Sequence, residues 1–149
     1  MRVPHSLLLF TSVSLFVNAG TVRYTDCGSS VTVHSVAVEP CYGTPCSLSR
    51  GSTATTQISF QADQHAGSGG KAEVSGIVGG FSVPVKLDSP QICGHVQPKC
   101  PLQSGQWYTY TKAMYIDPSY SPMQLSVRWV LKDSYGGQMV CVEIPVQLV

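Results

Sequence analysis

Six cysteines constrain this chain more than any other feature of its sequence. They follow a leader of secretory type, and disulfides persist in exported proteins but are rare in the cytosol. An even number of cysteines in a small exported domain indicates a disulfide framework. The other pairings of six cysteines stay open at this point, but the spacing favours two local closures and one bridge across nearly the whole chain: Cys41–Cys46, Cys93–Cys100 and Cys27–Cys141.

The leader has the composition of a signal peptide. Arg2 precedes an apolar stretch at 7–17, and Val-Asn-Ala at 17–19 supplies the small-residue cleavage pattern. The stretch is too short for a spanning helix, which needs about 20 residues. The sequence therefore predicts a signal peptide over 1–19 and one exported domain over 20–149. Asn18 is the only asparagine, so the exported domain lacks an N-glycosylation sequon. This favours extracellular fluid, with the lysosomal lumen as the alternative.

Charged side chains are scarce, at 11% of the chain, against an average of about 25%. Nine lysines and arginines, of which Arg2 lies in the leader, stand against eight aspartates and glutamates. The exported domain is thus close to neutral. Nucleic-acid binding demands a basic surface, so no nucleic-acid partner is expected.

Short segments of period-two alternation, separated by glycine, proline, serine and aspartate, dominate the exported domain. The clearest lie at 54–62, 123–132 and 140–148, and weaker ones at 31–38, 71–78 and 107–114. Such alternation is typical of half-buried strands, and no window has a capped helical period. The segment 133–137 is expected to form a turn, and Pro145 to mark an edge or a bulge. The sequence therefore predicts an all-β sandwich.

Sequence motifs of catalysis are missing. There is no G-x-S-x-G elbow, no phosphate loop around Lys71, no H-E-x-x-H and no C-x-x-C. His34, His65 and His95 sit among polar residues, and oxidised cysteines offer no thiolate to a metal. The acids are scattered without an evident pair for acid–base work. We therefore expect neither an enzyme nor a metal or other cofactor.

Several motifs nevertheless identify a family. They are DCGS at 26–29, EPC at 39–41, PCSLSRG at 45–51, KCPL at 99–102 and EIPVQ at 143–147, together with Tyr108, Tyr110 and Trp129. With them, residues 22–149 closely resemble the Niemann–Pick type C-two sterol-transfer proteins of the ML lipid-recognition superfamily. The resemblance implies an immunoglobulin-like two-sheet β-sandwich with three disulfides, paired as the spacing favours. It also implies a secreted, non-enzymatic protein that holds a sterol, fatty acid or similar hydrophobic ligand between its sheets.

The same resemblance implies the lipid-binding residues. One wall would carry Val83, Pro84 and Val85, the mouth Ile116 and Tyr120, and the interior Val38, Phe60, Val74, Tyr110, Val127, Trp129 and Ile144. Ordinary core packing is the alternative for each, and is favoured for Phe60 and Trp129. Sterol-binding members usually carry phenylalanine at the position of Val85 and tryptophan at that of Val142. The loss of two aromatic rings leaves the choice between sterol and fatty acid open.

Ile77 and Phe81 are the candidates for membrane docking, because they place apolar side chains around Gly79-Gly80. The expected partners are thus a hydrophobic ligand and, transiently, a membrane, with the protein itself a monomer. A recognition module is the rival hypothesis. It would bind a protein receptor or a microbial lipid, in an innate-immune or chemosensory role, on the same immunoglobulin-like fold.

Overall fold

Two facing β-sheets make up the regular structure of residues 21–149, which are the residues that the computed structural model describes. The predicted signal peptide, 1–19, lies outside this range. In chain order the strands are β1 (Thr25–Asp26), β2 (Val33–Glu39), β3 (Cys46–Leu48), β4 (Thr53–Gln61), β5 (Ala72–Val78), β6 (Phe81–Val85), β7 (Val96–Gln97), β8 (Trp107–Tyr115), β9 (Met123–Lys132) and β10 (Gln138–Leu148).

The larger sheet has six strands, in the order β1-β10-β9-β5-β6, with β3 added parallel to the far half of β10. The smaller sheet has four strands, in the order β2-β4-β8-β7. Apart from β3 with β10, the paired strands are antiparallel. The predicted all-β, immunoglobulin-like sandwich is therefore confirmed. No helix between residues 21 and 149 is long and apolar enough to cross a bilayer.

The period-two pattern decides which side of each strand faces the interior. In β4, the alternate residues Ala54, Thr56, Ile58 and Phe60 are buried, while the polar residues between them face outward. The six predicted strands are all present, within one or two residues of the predicted bounds where the alternation is strongest. Strands β1, β3 and β7 were not predicted, because two or three residues show no period. Strand β6 was not predicted either, because its alternation spans only five residues and includes Pro84.

The hairpin that joins β9 to β10 turns at 133–137, as predicted. The Asp133 carboxylate accepts hydrogen bonds from the backbone N–H groups of Tyr135 and Gly137, at 2.9 and 2.8 Å. Gly136 has a φ of 83°, which a residue with a side chain rarely adopts. An aspartate followed by glycines thus fixes this end of the larger sheet.

Proline inside β10 is accommodated by a gap in the pairing. On the side away from β9, β1 covers Val142 and Glu143, and β3 covers 146–148. Pro145 lies between these two short strands, where no backbone partner requires an N–H from it. The predicted edge or bulge position is therefore wrong, because β10 is paired on both sides and its register shift lies at 138–140; the gap between β1 and β3 accommodates the proline instead.

The six cysteines form three disulfides, and they have the pairing that spacing and resemblance favour. Cys27–Cys141 joins the residue after β1 to β10, Cys41–Cys46 closes the turn before β3, and Cys93–Cys100 closes the segment around β7. The first bridge ties the two ends of the described chain within one sheet.

Candidate functional site

An apolar cavity of about 270 Å3 lies between the two sheets. This is near the lower end of the range of small-molecule pockets, roughly 300–1,000 Å3. Both sheets and the segment after β8 contribute to its wall: Val38, Leu48, Ala54, Thr56, Val74, Ser75, Gly76, Val78, Val83, Pro84, Val85, Met114, Tyr115, Ile116, Tyr120, Met123, Leu125, Val127, Trp129, Ile144, Val146 and Leu148.

The inward face of β9 shows where the interior is filled and where it is not. At one end of the strand Trp129 and Leu131 are fully buried, with 1% and 0% of their surface exposed. At the other end Met123, Leu125 and Val127 are only partly buried, and all three line the cavity. The same apolar stripe thus packs against the opposite sheet at one end and borders a void at the other.

The mouth of the cavity is apolar as well. Val78, Val83, Tyr115 and Tyr120 line the cavity and are also exposed at the surface. Phe81, in the hairpin between β5 and β6, is 77% exposed beside them. Large exposed apolar side chains grouped around an opening are typical of a site that receives a ligand or another surface.

One arginine holds the loop at the mouth in place. The Arg50 Nη1 donates to the carbonyl oxygen of Tyr120 at 2.9 Å and to that of Pro118 at 3.3 Å. The Arg50 Nε donates to the Val149 carbonyl at 3.4 Å. Within the loop, the Asp117 carboxylate accepts from the Ser119 N–H, and this hydrogen bond lowers the pKa of Asp117. The position of Tyr120 therefore depends on a side chain that comes from the β3–β4 turn.

Ten of the twelve predicted lipid-binding residues line the cavity. They are Val38, Val74, Val83, Pro84, Val85, Ile116, Tyr120, Val127, Trp129 and Ile144. The predicted docking residues lie at the outside, with Phe81 exposed and Ile77 half-buried on the outer face of β5.

Phe60 and Tyr110 are not brought to the cavity. Both are fully buried in the filled part of the interior, where Phe60 stacks on Tyr108 at 6.1 Å and Tyr110 meets Trp129 edge-on at 6.0 Å. On β4 the cavity wall ends at Thr56, and Phe60 lies four residues further along the strand. Burial raises the pKa of Tyr110 to about 12, so its hydroxyl stays protonated.

Twelve of the 22 lining residues were not predicted as site residues, although several of them belong to predicted strands. Met123 and Leu125 belong to the predicted stripe on β9, and Val146 and Leu148 to that on β10. Leu48 could not have been found, because three residues of β3 carry no period. Ser75 and Tyr115 were not marked either, since Ser75 lies between the inward residues of β5 and Tyr115 lies one residue beyond the predicted strand.

The wall has little capacity for chemistry. Tyrosine is the only ionisable residue type among its lining residues. No group of three or more histidine, cysteine, aspartate or glutamate side chains that could hold a metal ion occurs in the described part of the chain. Apolar walls with few polar groups can bury a hydrophobic molecule, but they offer no acid–base pair.

Comparison with known proteins gives a consistent family. The family model of the ML domain matches residues 21–148. The chain is 35% identical to the NPC intracellular cholesterol transporter 2 homolog a of Drosophila melanogaster over 138 residues, which cover 91% of this chain and 93% of the relative. It is 34% identical to the NPC intracellular cholesterol transporter 2 of Sus scrofa over 149 residues, or 99% of both chains.

The fold is shared with a solved structure, that of a Niemann-Pick type C2 protein from the Japanese carpenter ant. The TM-score is 0.76 at 22% identity, and the match covers 85% of this chain and 99% of the other. The family model spans nearly all of the described residues, and the two relatives are matched along almost their whole length. The chain belongs to the ML domain family.

Proposed function

We propose that the protein is a secreted, non-enzymatic carrier that binds a sterol, a fatty acid or a similar hydrophobic ligand between its sheets. The observation that carries this proposal is the cavity, whose walls are apolar and whose mouth opens among exposed apolar side chains. Relatives named as cholesterol transporters support the same class of ligand. An extracellular location follows from the predicted signal peptide, with the lysosomal lumen as the alternative.

Burial of an apolar ligand supplies enough free energy for a carrier. At about 0.8 kcal/mol per buried CH2, an aliphatic chain of roughly sixteen carbons gains about 13 kcal/mol before costs. Association and ordering subtract about 4–15 kcal/mol. The remainder permits useful but reversible affinity, which is what a carrier that must release its ligand requires.

A tryptophan that fills the cavity tests the proposal. Val127 is partly buried on the inner face of β9 and lines the cavity, whereas Val130 is on the outer face of the same strand. Val127→Trp should abolish binding of a fluorescent sterol and a fluorescent fatty acid by occupying their volume. Val130→Trp is the matched control and should bind as the parent does. If neither lipid binds to the parent protein, or if Val127→Trp binds both normally, the cavity is not the ligand site.

We also propose that the hairpin beside the mouth contacts membranes during transfer. Gly79 and Gly80 both have positive φ, which suits the tight turn between β5 and β6. This turn presents Phe81 to the solvent, next to the exposed Val78 and Val83 of the mouth. An apolar tip at this place would let a ligand pass between bilayer and cavity without crossing water. A carrier of this kind is expected to act as a monomer, which light scattering would test.

A further inference from the structure

Two polar side chains interrupt the apolar inner face of the smaller sheet. Thr56 is 6% exposed and Lys112 is 7% exposed, and they are the buried polar or charged residues of the described chain. They are register partners on β4 and β8. Cross-strand partners project from the same face, with Cβ atoms about 4.5–5.5 Å apart. The Thr56 and Lys112 side chains therefore leave the inner face of the smaller sheet side by side, and only Thr56 lines the cavity.

Thr56 is at the closed end of the cavity. It lines the cavity wall beside Val38, Trp129 and Ile144, all of which are nearly or fully buried. The exposed residues of the mouth lie at the other end of the β4–β8 strand pair, where Tyr115 is the register partner of Thr53. A ligand that fills the cavity must therefore bring one of its ends close to Thr56.

The Thr56 hydroxyl is available to a ligand. No hydrogen bond to it is found within residues 21–149. It is also not among the polar atoms that are sealed from solvent without a partner, a condition met only by the Tyr110 hydroxyl in this part of the chain. Because the residue is almost fully buried and borders the cavity, a ligand can reach this hydroxyl only from the cavity. Buried hydroxyls of this kind are unfavourable until they find a partner.

Lys112, the register partner of Thr56, adds a buried positive charge next to the cavity wall. Its Nζ donates to the carbonyl oxygens of Asp88 and Ser89, the second at 3.4 Å. An ammonium group has three donors, so two carbonyls leave one unused. The ion pairs among residues 21–149 involve other cations, so no carboxylate of this region neutralises Lys112. A buried charge without a counter-ion favours the approach of an anion.

We propose that the closed end is a carboxylate subsite, and that an aliphatic monocarboxylate enters the cavity with its carboxylate first. The Thr56 hydroxyl donates a hydrogen bond to a carboxylate oxygen, and Lys112 stabilises the negative charge from the adjacent strand. The aliphatic tail extends along the apolar wall toward the mouth. This inference rests on the proposed carrier function and specifies which ligand end lies innermost.

Matched ligands and variants test the subsite. The parent protein is titrated with palmitic acid, its methyl ester and the corresponding alcohol, and so are Thr56→Val, Lys112→Met and the outer-face control Thr55→Val. A hydrogen bond to a charged group corresponds to a factor of about ten or more in affinity. The parent should therefore prefer the acid over the ester by about tenfold. Thr56→Val and Lys112→Met should each erode this preference with the ester affinity unchanged, and Thr55→Val should keep it.

Three results would overturn the proposal. One is equal affinity of the parent for acid and ester. Another is an equal loss of acid and ester binding in Thr56→Val, which would indicate a packing role. The third is an alcohol that binds as well as the acid and is insensitive to Lys112→Met, which would indicate a hydroxyl subsite instead. Failure of the carrier function is distinguishable, because then neither acid, ester nor sterol binds.

Trp129 provides a separate readout that needs no variant. It lines the closed end, so its fluorescence reports which part of the ligand is nearby. A fatty acid brominated near its carboxyl end should quench Trp129 more than one brominated near its methyl end. Comparison of the two acids on the same protein cancels the contribution of Trp107, which is outside the cavity. Stronger quenching by the methyl-end bromine would place the carboxylate at the mouth and refute the inference.

Discussion

Truncation of two leucines on β9 should have different effects, one mainly on the stability of the fold and the other mainly on ligand binding. Leu131 and Leu125 belong to the same inward stripe of β9, yet Leu131 is fully buried in the filled interior and Leu125 borders the cavity. We compare Leu131→Ala with Leu125→Ala in lipid-free protein. The chemistry of the change is identical, so any difference comes from the surroundings of the two side chains.

The expected magnitudes follow from these surroundings. Truncation of leucine to alanine removes three carbons, which are worth about 2.4 kcal/mol if fully buried. At Leu131 the change also creates a void in a packed region, so the total loss should lie at about 2.7–5 kcal/mol. At Leu125 the side chain is partly exposed, and the freed volume merges with a cavity that is already there. The loss at Leu125 should therefore be about 1 kcal/mol.

Urea unfolding and ligand titration provide the two measurements. With a slope of about 1–3 kcal/mol per molar urea, the unfolding midpoint of Leu131→Ala should fall well below that of Leu125→Ala. Ligand affinity should change in Leu125→Ala, because the ligand loses wall contacts, and should be preserved in folded Leu131→Ala. Equal losses of stability at the two sites would mean that Leu125 is packed as tightly as the core. The cavity, and with it the carrier function, would then have to be abandoned.

Two further predictions concern the mouth. Arg50→Met should accelerate ligand release in stopped-flow measurements, because the loop at the mouth loses its hydrogen bonds from Arg50. The exposed control Arg23→Met should release ligand at the parent rate. An unchanged rate for Arg50→Met would show that the loop does not limit ligand exit. Phe81→Asp should slow lipid transfer to vesicles and leave equilibrium binding intact, because it places a charge at the apolar tip. Tyr135→Asp, at an equally exposed aromatic in the opposite hairpin, should transfer normally, and parent-like transfer by Phe81→Asp would remove the docking hypothesis.

The fold was largely predictable because the burial of one face gives each long strand an alternation of inward apolar and outward polar residues. That signal fails to mark β6, in which the alternation spans only five residues and includes Pro84. It fails as well for β3, which is too short to have a period and still brings Leu48 to the cavity. Alternation in the sequence predicts that a strand exists and which of its side chains face the core more reliably than it predicts which strands pair.

Many residues of the cavity wall could be predicted from the sequence, but the point along the strands at which the cavity ends could not. The pattern shows that Val127, Phe60 and Tyr110 all face inward, but it cannot show where two sheets stop touching. That point depends on how the sheets diverge, which is a property of both together. For the same reason the polar pair Thr56 and Lys112 was not predicted. The alternation at 54–62 indicates that Thr56 faces inward, but only the register between β4 and β8 shows that Lys112 is its neighbour.

The placement of the disulfides leaves the spacing between the two layers adjustable. In antibody domains a bridge pins one sheet to the other across the core. Here Cys27–Cys141 lies within the larger sheet, Cys93–Cys100 closes the segment around β7, and Cys41–Cys46 closes the short crossover from the end of β2 in the smaller sheet to β3 in the larger one. Within residues 21–149, no disulfide crosses the core from one inner face to the other. We therefore expect that ligands of different width can be accommodated by small changes in the distance between the sheets, without the breaking of a disulfide.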